Sequence, residues 1–193
     1  MQSHIILLNS PPGCGKDTIA KTLNWMDGSE IMEFKKPMFK IASAIVGLAV
    51  EEFLKLYSDR TKKENPCEEF LGMSGRQLLI DISESFCKPR FGEEYFGRVA
   101  ANGMNFDHFS NYGYVFSDSG FLSEVFPLAR KFGKESITIV QFTGQGVVDF
   151  GNDSRNWVDG TPHGIRTIRM PISNDNMTPM QYTELVIQEV KNR

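Results

Sequence analysis

Long apolar runs are what this 193-residue sequence most plainly lacks. The longest, residues 41–50, is broken by Ser43 and Gly47 and falls short of the roughly 20 residues that cross a bilayer, so no membrane partner is expected. Cysteine is scarce: Cys14, Cys67 and Cys87 have no CxxC spacing and cannot all pair with one another. That excludes a disulfide or zinc framework and fits reduced thiols in a cytoplasmic setting. Basic excess is missing as well, with 21 Lys+Arg against 24 Asp+Glu and a formal charge of -3, which disfavours stable nucleic-acid binding. There is no internal repeat and no low-complexity linker, and the first residues do not read as a secretory signal. What remains is a chain that is 40% hydrophobic and long enough for one sizeable core. A single domain over 1–193 is expected, with a small molecule as its partner and a homodimer left open.

Ile5 to Leu8 is continuously apolar, as in a parallel strand buried on both faces, and ends at the turn-forming Asn9-Ser10-Pro11-Pro12-Gly13. Beyond Lys16, Ile19, Ala20, Leu23 and Met26 follow helical spacing until Asp27-Gly28 supplies a stop. Further strands are expected at 31–34, 112–117, 136–142 and 165–170. Their alternation with helical patterns argues for a parallel α/β sheet. Two capping boxes mark helix starts, Ser74 to Gln77 and Thr178 to Gln181, the second opening a terminal helix with Leu185, Val186 and Val190. Residues 143–164 are polar, glycine-rich and too long for an ordinary connection, which marks them as a functional loop.

The chemistry concentrates in Ser10-Pro11-Pro12-Gly13-Cys14-Gly15-Lys16-Asp17-Thr18. A loop that wraps phosphates needs glycines that turn successive amides inward, a lysine that reaches the terminal oxygens, and a helix whose positive end faces the anion. Strand, loop and helix stand here in that order. Pro12, Gly13, Cys14, Gly15, Lys16, Asp17 and Thr18 are therefore the expected ATP-binding residues. Relative to G-x-x-x-x-G-K-[ST], Ser10 replaces the first glycine and Asp17 the hydroxyl residue, with Thr18 one position later. Asp17 has two readings, an acid favoured by the helix dipole or a contact to the water shell of magnesium.

This loop resembles that of nucleoside monophosphate kinases, G-x-P-G-x-G-K-G-T, and its Gly-Lys-Asp-Thr ending is similar to bacteriophage deoxynucleoside monophosphate kinases. The resemblance implies a three-layer P-loop fold with a parallel five-stranded sheet in the order 2-3-1-4-5. It also implies ATP and Mg²⁺ as cofactors, and Thr18 as a contact to the α-phosphate that supports the metal. Phosphoryl transfer needs a carboxylate near the metal at a strand end, and Asp118 stands there; its other reading is a helix N-cap. The family has Asp, Arg, Phe and Glu at this turn, and the chain keeps Asp118, Phe121 and Glu124 but has Gly120 in place of the arginine.

Residues 34–40 resemble the segment that opens the family's monophosphate-binding helices, which points to Lys36 on the acceptor side. Residues 74–98 resemble its following helical block. Arg76 falls in the first turn of a helix, where the dipole disfavours a cation unless an anion is near, so it is assigned to an acceptor phosphate, with a solvated surface arginine as the alternative. Lys88 and Arg90 flank Pro89 and join it as acceptor candidates. Tyr95 is a candidate for stacking on a base, while Phe96 is assigned to the core. The acceptor segment is thus expected over 35–104 and a lid over 143–164, where Arg155 would meet the transferring phosphoryl group.

The resulting expectation is ATP-dependent phosphorylation of a nucleoside or deoxynucleoside monophosphate, with Lys16, Arg76, Asp118 and Arg155 at the reacting centre and Asp17, Thr18 and Asp118 toward Mg²⁺. The alternatives are a P-loop kinase of another small metabolite, and a nucleotide-binding regulatory protein without transfer.

Overall fold

The structure is a computed structural model that describes residues 4–104, 113–143, 150–151, 155–171 and 177–191. Its centre is a five-stranded, all-parallel sheet in the order β2-β3-β1-β4-β5. The strands are β1 (Ile5–Asn9), β2 (Glu30–Met32), β3 (Tyr114–Phe116), β4 (Ile137–Thr143) and β5 (Arg166–Pro171). In register, Ile5 lies between Tyr114 of β3 and Ile137 of β4. All of β1 is buried, and its side chains split between two cores as the strand pleat requires. Ile5 and Leu7 pack on one side with Phe116, Ile137 and Ile139. Ile6 and Leu8 pack on the other with Val115, Val140 and Phe142.

That second side is covered by α1 (Lys16–Asp27) and α9 (Pro179–Lys191), which bury Ile19, Ala20, Leu23, Tyr182, Val186 and Val190. α1 ends where expected, at Gly28 in the left-handed conformation, and both halves of the Thr178/Gln181 capping box are formed. Leu185, by contrast, faces outward.

The first side carries the helices between β2 and β4. They are α2 (Lys36–Val46), α3 (Val50–Ser58), α4 (Arg60–Glu64), α5 (Gly75–Ile80), α6 (Lys88–Phe91), α7 (Tyr95–Gly103) and α8 (Leu122–Phe132). α5 runs through a π-helical stretch, Asp81–Cys87, directly into α6. Its start is set by Ser74, whose hydroxyl accepts from Gln77 N at 3.1 Å. The reciprocal half of that capping box is absent, because the Gln77 side chain donates to Asp81 instead. Phe96 is buried in this core, as expected.

β2 is shorter than the predicted 31–34, for a local reason. The Phe34 and Lys35 amides donate to the two carboxylate oxygens of Asp118, at 3.1 and 3.0 Å, so they cannot extend a sheet ladder. No helix of the described residues is long and apolar enough to cross a membrane.

Candidate functional site

The carboxyl ends of β1 and β3 open into one cavity of about 510 Å³. In an open parallel sheet this edge is the natural binding crevice, because successive connections depart there to opposite faces. Along the floor runs the loop after β1. Gly13 and Gly15 have φ of 86° and 73°, a region that costs an L-residue roughly 1–2 kcal/mol. The chain therefore turns tightly and delivers Lys16 as the first residue of α1, with Asp17 and Thr18 beside it. Pro12, Gly13, Gly15, Lys16, Asp17 and Thr18 all line the cavity, whereas Cys14 does not. The Lys16 ammonium donates to the Ser10 and Pro11 carbonyls at 2.5 and 2.7 Å, folding the side chain over its own loop.

Asp118 forms part of the same wall. It does not cap the helix that follows: α8 begins after Phe121 and has no side-chain cap. Its carboxylate instead fixes the turn between β2 and α2, as the Phe34 and Lys35 amides show. Burial pushes the Asp118 carboxyl above its usual range, against the pull of the Lys35 ammonium and the two amides. Lys35 itself pays for burial, but the charges of Asp118 and Glu33 outweigh that and carry it upward.

A second arc of cations comes from the helical segment. Arg76 lines the cavity and holds Glu64 with a two-pronged contact, Nε to Oε2 at 2.9 Å and Nη2 to Oε1 at 2.8 Å, tying α5 to α4. Lys63, from α4, and Tyr57, from α3, complete this side, with the Lys63 ammonium 5.1 Å from the Tyr57 ring centre. The Lys63 ammonium is pushed down, first by burial and then by the positive charges of Arg76, Lys35 and Arg155. Mutual repulsion of this kind is relieved by an anion placed between the cations.

Arg155, from the segment between β4 and β5, also lines the cavity. A Cβ at position 120 would lie 2.2 Å from its Cγ and 2.4 Å from its Cβ, so the arginine stem occupies the space that Gly120 leaves open. The backbone around it is fastened: Asn156 N donates to Gly120 O at 3.1 Å. Asn9, at the end of β1, donates to Ser119 O and Asn156 O and accepts from Val158 N at 2.8 Å. This stretch is thus built into the fold rather than projecting from it. The expected lid over 143–164 falls partly outside the described residues, Asp153 and Ser154 included.

Of the other acceptor candidates, none lines the cavity. Lys36 is exposed at the head of α2, one residue beyond Lys35. Lys88 is buried behind the wall, bonded to Glu84 at 2.6 Å and 4.1 Å from the Phe121 ring centre. Arg90 is exposed over the Phe86 ring, and Tyr95 stacks on Phe91. Residues not singled out from the sequence take their places: Lys35, Tyr57, Lys63, Ser83 and Glu84. The Lys35 signal was one position off, whereas nothing local to Tyr57 or Lys63 distinguishes them from surface residues.

The described residues contain no cluster of three or more His, Cys, Asp or Glu side chains able to hold a metal by themselves. No family model matches this chain, and neither does any curated protein. Among solved structures, it is similar to a protein from Chloroflexus aurantiacus described as a "putative kinase", at 11% identity over 97% of this chain and 98% of that one, with a TM-score of 0.48.

Proposed function

We propose that the protein is a P-loop phosphotransferase that moves the γ-phosphoryl group of ATP onto a nucleoside or deoxynucleoside monophosphate. The observation that carries this reading is the loop from Ser10 to Thr18, turned by two positive-φ glycines at the end of β1 and opening into a cavity that Lys35, Lys63 and Arg76 also line. One phosphate chain fits against the loop amides and the head of α1, where the helix dipole favours an anion. A second phosphate fits between Lys35, Lys63 and Arg76. Two anion sites facing one space suit a donor and an acceptor better than a single nucleotide.

Magnesium fits this site only together with the substrate. The ion is usually held by one or two side-chain oxygens plus phosphates and waters, and Asp17 and Thr18 both line the cavity where such phosphates would lie. Asp118 already uses both oxygens to hold the turn that presents Lys35. When bound, the metal would supply charge neutralisation on the phosphate oxygens.

The chain's own residues supply positioning and charge. Lys16 exchanges its two loop carbonyls for phosphate oxygens; Arg76 and Lys63 hold the acceptor phosphate; Arg155, which lines the same cavity, neutralises the transferring group. The acceptor oxygen then meets phosphorus in line, and the γ-phosphoryl passes to it as ADP leaves. No side chain is required as an obligate base. The test is ADP formation from ATP with and without each common monophosphate, for the wild type and Lys16→Ala. Turnover should require both the monophosphate and Lys16; monophosphate-independent turnover, or none with any acceptor, contradicts the reading.

A further inference from the structure

One wall of the cavity carries a hydroxyl that neither the packing nor the phosphate chemistry described above uses. Tyr57, on α3, lines the cavity. Its ring centre lies 5.3 Å from that of Phe39 and 6.0 Å from that of Phe53, in an aromatic layer that Phe70 extends. The start of α5 closes on the ring edge. A Cβ at position 75 would lie 2.8 Å from Tyr57 Cδ2, so Gly75 is what lets the two elements meet. None of these contacts uses the oxygen, and a phenylalanine would fill the same place. The hydroxyl makes no hydrogen bond among the described residues, although a half-buried phenol usually finds a partner.

The surroundings of that hydroxyl are cationic. The Lys63 ammonium stands 5.1 Å from the ring centre, within reach of a cation–π contact. Arg76 follows Gly75 directly, so the packing of Gly75 against the ring also sets where the arginine departs from α5. Burial pushes the phenol up, and the charges that act on it most are Lys35, Arg76, Glu64 and Arg155. The acids Glu84 and Glu124 belong to a different part of the lining. Glu124 is buried in the first turn of α8, and burial first, then the negative charge of Asp118, push its carboxyl well above the usual range. The other charges acting on it are Lys88, Arg155 and Glu84. An anion that enters the cavity is therefore drawn toward Tyr57, whose O–H is a donor.

We propose that Tyr57 is a further acceptor-binding residue, its ring holding the Lys63 ammonium and its hydroxyl donating a hydrogen bond to the acceptor phosphate beside Lys63 and Arg76. The contact is to a phosphate oxygen, so it serves every monophosphate alike, whatever its base. The inference rests on reading the cavity as a monophosphate site.

The experiment is calorimetric titration of the full chain with dAMP, dCMP, dGMP, dTMP and a non-hydrolysable ATP analogue, for the wild type, Tyr57→Phe and Tyr57→Leu. Thermal melting follows the fold, and steady-state kinetics separate the two substrates. Tyr57→Phe should weaken each monophosphate that the wild type binds by about tenfold or more, the scale of a hydrogen bond to a charged group. The KM for the monophosphate should rise with it, while the ATP KM, the affinity for the analogue and the melting temperature stay as they were. Tyr57→Leu, which also takes the ring away from Lys63, should weaken the monophosphates further. Monophosphate affinity unchanged in Tyr57→Phe, a loss shared equally by the analogue, or a loss that comes with a lower melting temperature overturns this inference alone. A wild type that binds no monophosphate overturns the acceptor reading and this inference with it.

Discussion

Gly120 and Arg155 form a pair in which one residue matters for the room it leaves. A methyl group at position 120 would meet the arginine stem at 2.2 Å, so Gly120→Ala must move Arg155. If Arg155 stabilises the transferring phosphoryl group, Arg155→Ala should lower kcat by about 10²–10³, with little change in either substrate's affinity. Gly120→Ala should then lower kcat as well, and the double variant should be no slower than Arg155→Ala. Steady-state rates for the three variants check this; independent, multiplying losses would show that Gly120 acts elsewhere. Glu124 makes a different prediction. Because its folded-state pKa is raised, the folded protein holds that proton more tightly than the unfolded chain does. Its contribution is therefore most favourable below the unfolded value near 4.5 and is lost as pH rises toward the folded value. Glu124→Gln should raise the melting temperature at pH 8 and change it little at pH 4, each kcal/mol being worth about 2–4 °C in a chain of this size. A variant no more stable than the wild type at pH 8 would mean that the buried carboxyl carries no such penalty.

At the scale of elements, the short stretch from Arg155 to Val158 owes its place to Asn9, one side chain that bridges three backbone groups. Asn9→Ala would leave the buried Val158 amide unpaired, at a cost of about 1–3 kcal/mol. It should lower the melting temperature and reduce kcat along with it, since Arg155 loses its anchor. Thermal melting and steady-state rates of this variant test both effects, and an unchanged kcat would separate Asn9 from Arg155. The start and stop of α1 and the cap of α9 were legible because their signals lie within a few residues: Gly28, and the Thr178/Gln181 pair. The end of β2 was not. It is decided by Asp118, which lies 84 residues away from Phe34 in sequence. The same distance hid the contact of Asp118 with the Phe34 and Lys35 amides, since neither a metal-facing carboxylate nor a helix cap at the end of β3 points to the turn after β2.

For the whole molecule, alternation of strand and helix patterns points to a parallel sheet, the order β2-β3-β1-β4-β5 is implied only by the family resemblance of the loop, and the motif residues Gly13, Gly15 and Lys16 line the cavity as their pattern suggests. The wall that α3, α4 and α5 supply is less legible because they reach it only through packing. Tyr57 and Lys63 have no local pattern, and Lys88 is drawn behind Phe121 by Glu84 although it stands in a basic stretch. The cavity that results brings Lys16 of the loop into one space with Lys35, Lys63 and Arg76, and the central claim is that a phosphoryl group crosses it. The most direct measurement is the fate of the terminal label of γ-³²P-ATP incubated with the protein, Mg²⁺ and a nucleoside monophosphate, followed by chromatographic separation. The account predicts label in the nucleoside diphosphate and none there with Lys16→Ala; label that stays in ATP, or appears only as inorganic phosphate with every monophosphate, would contradict it.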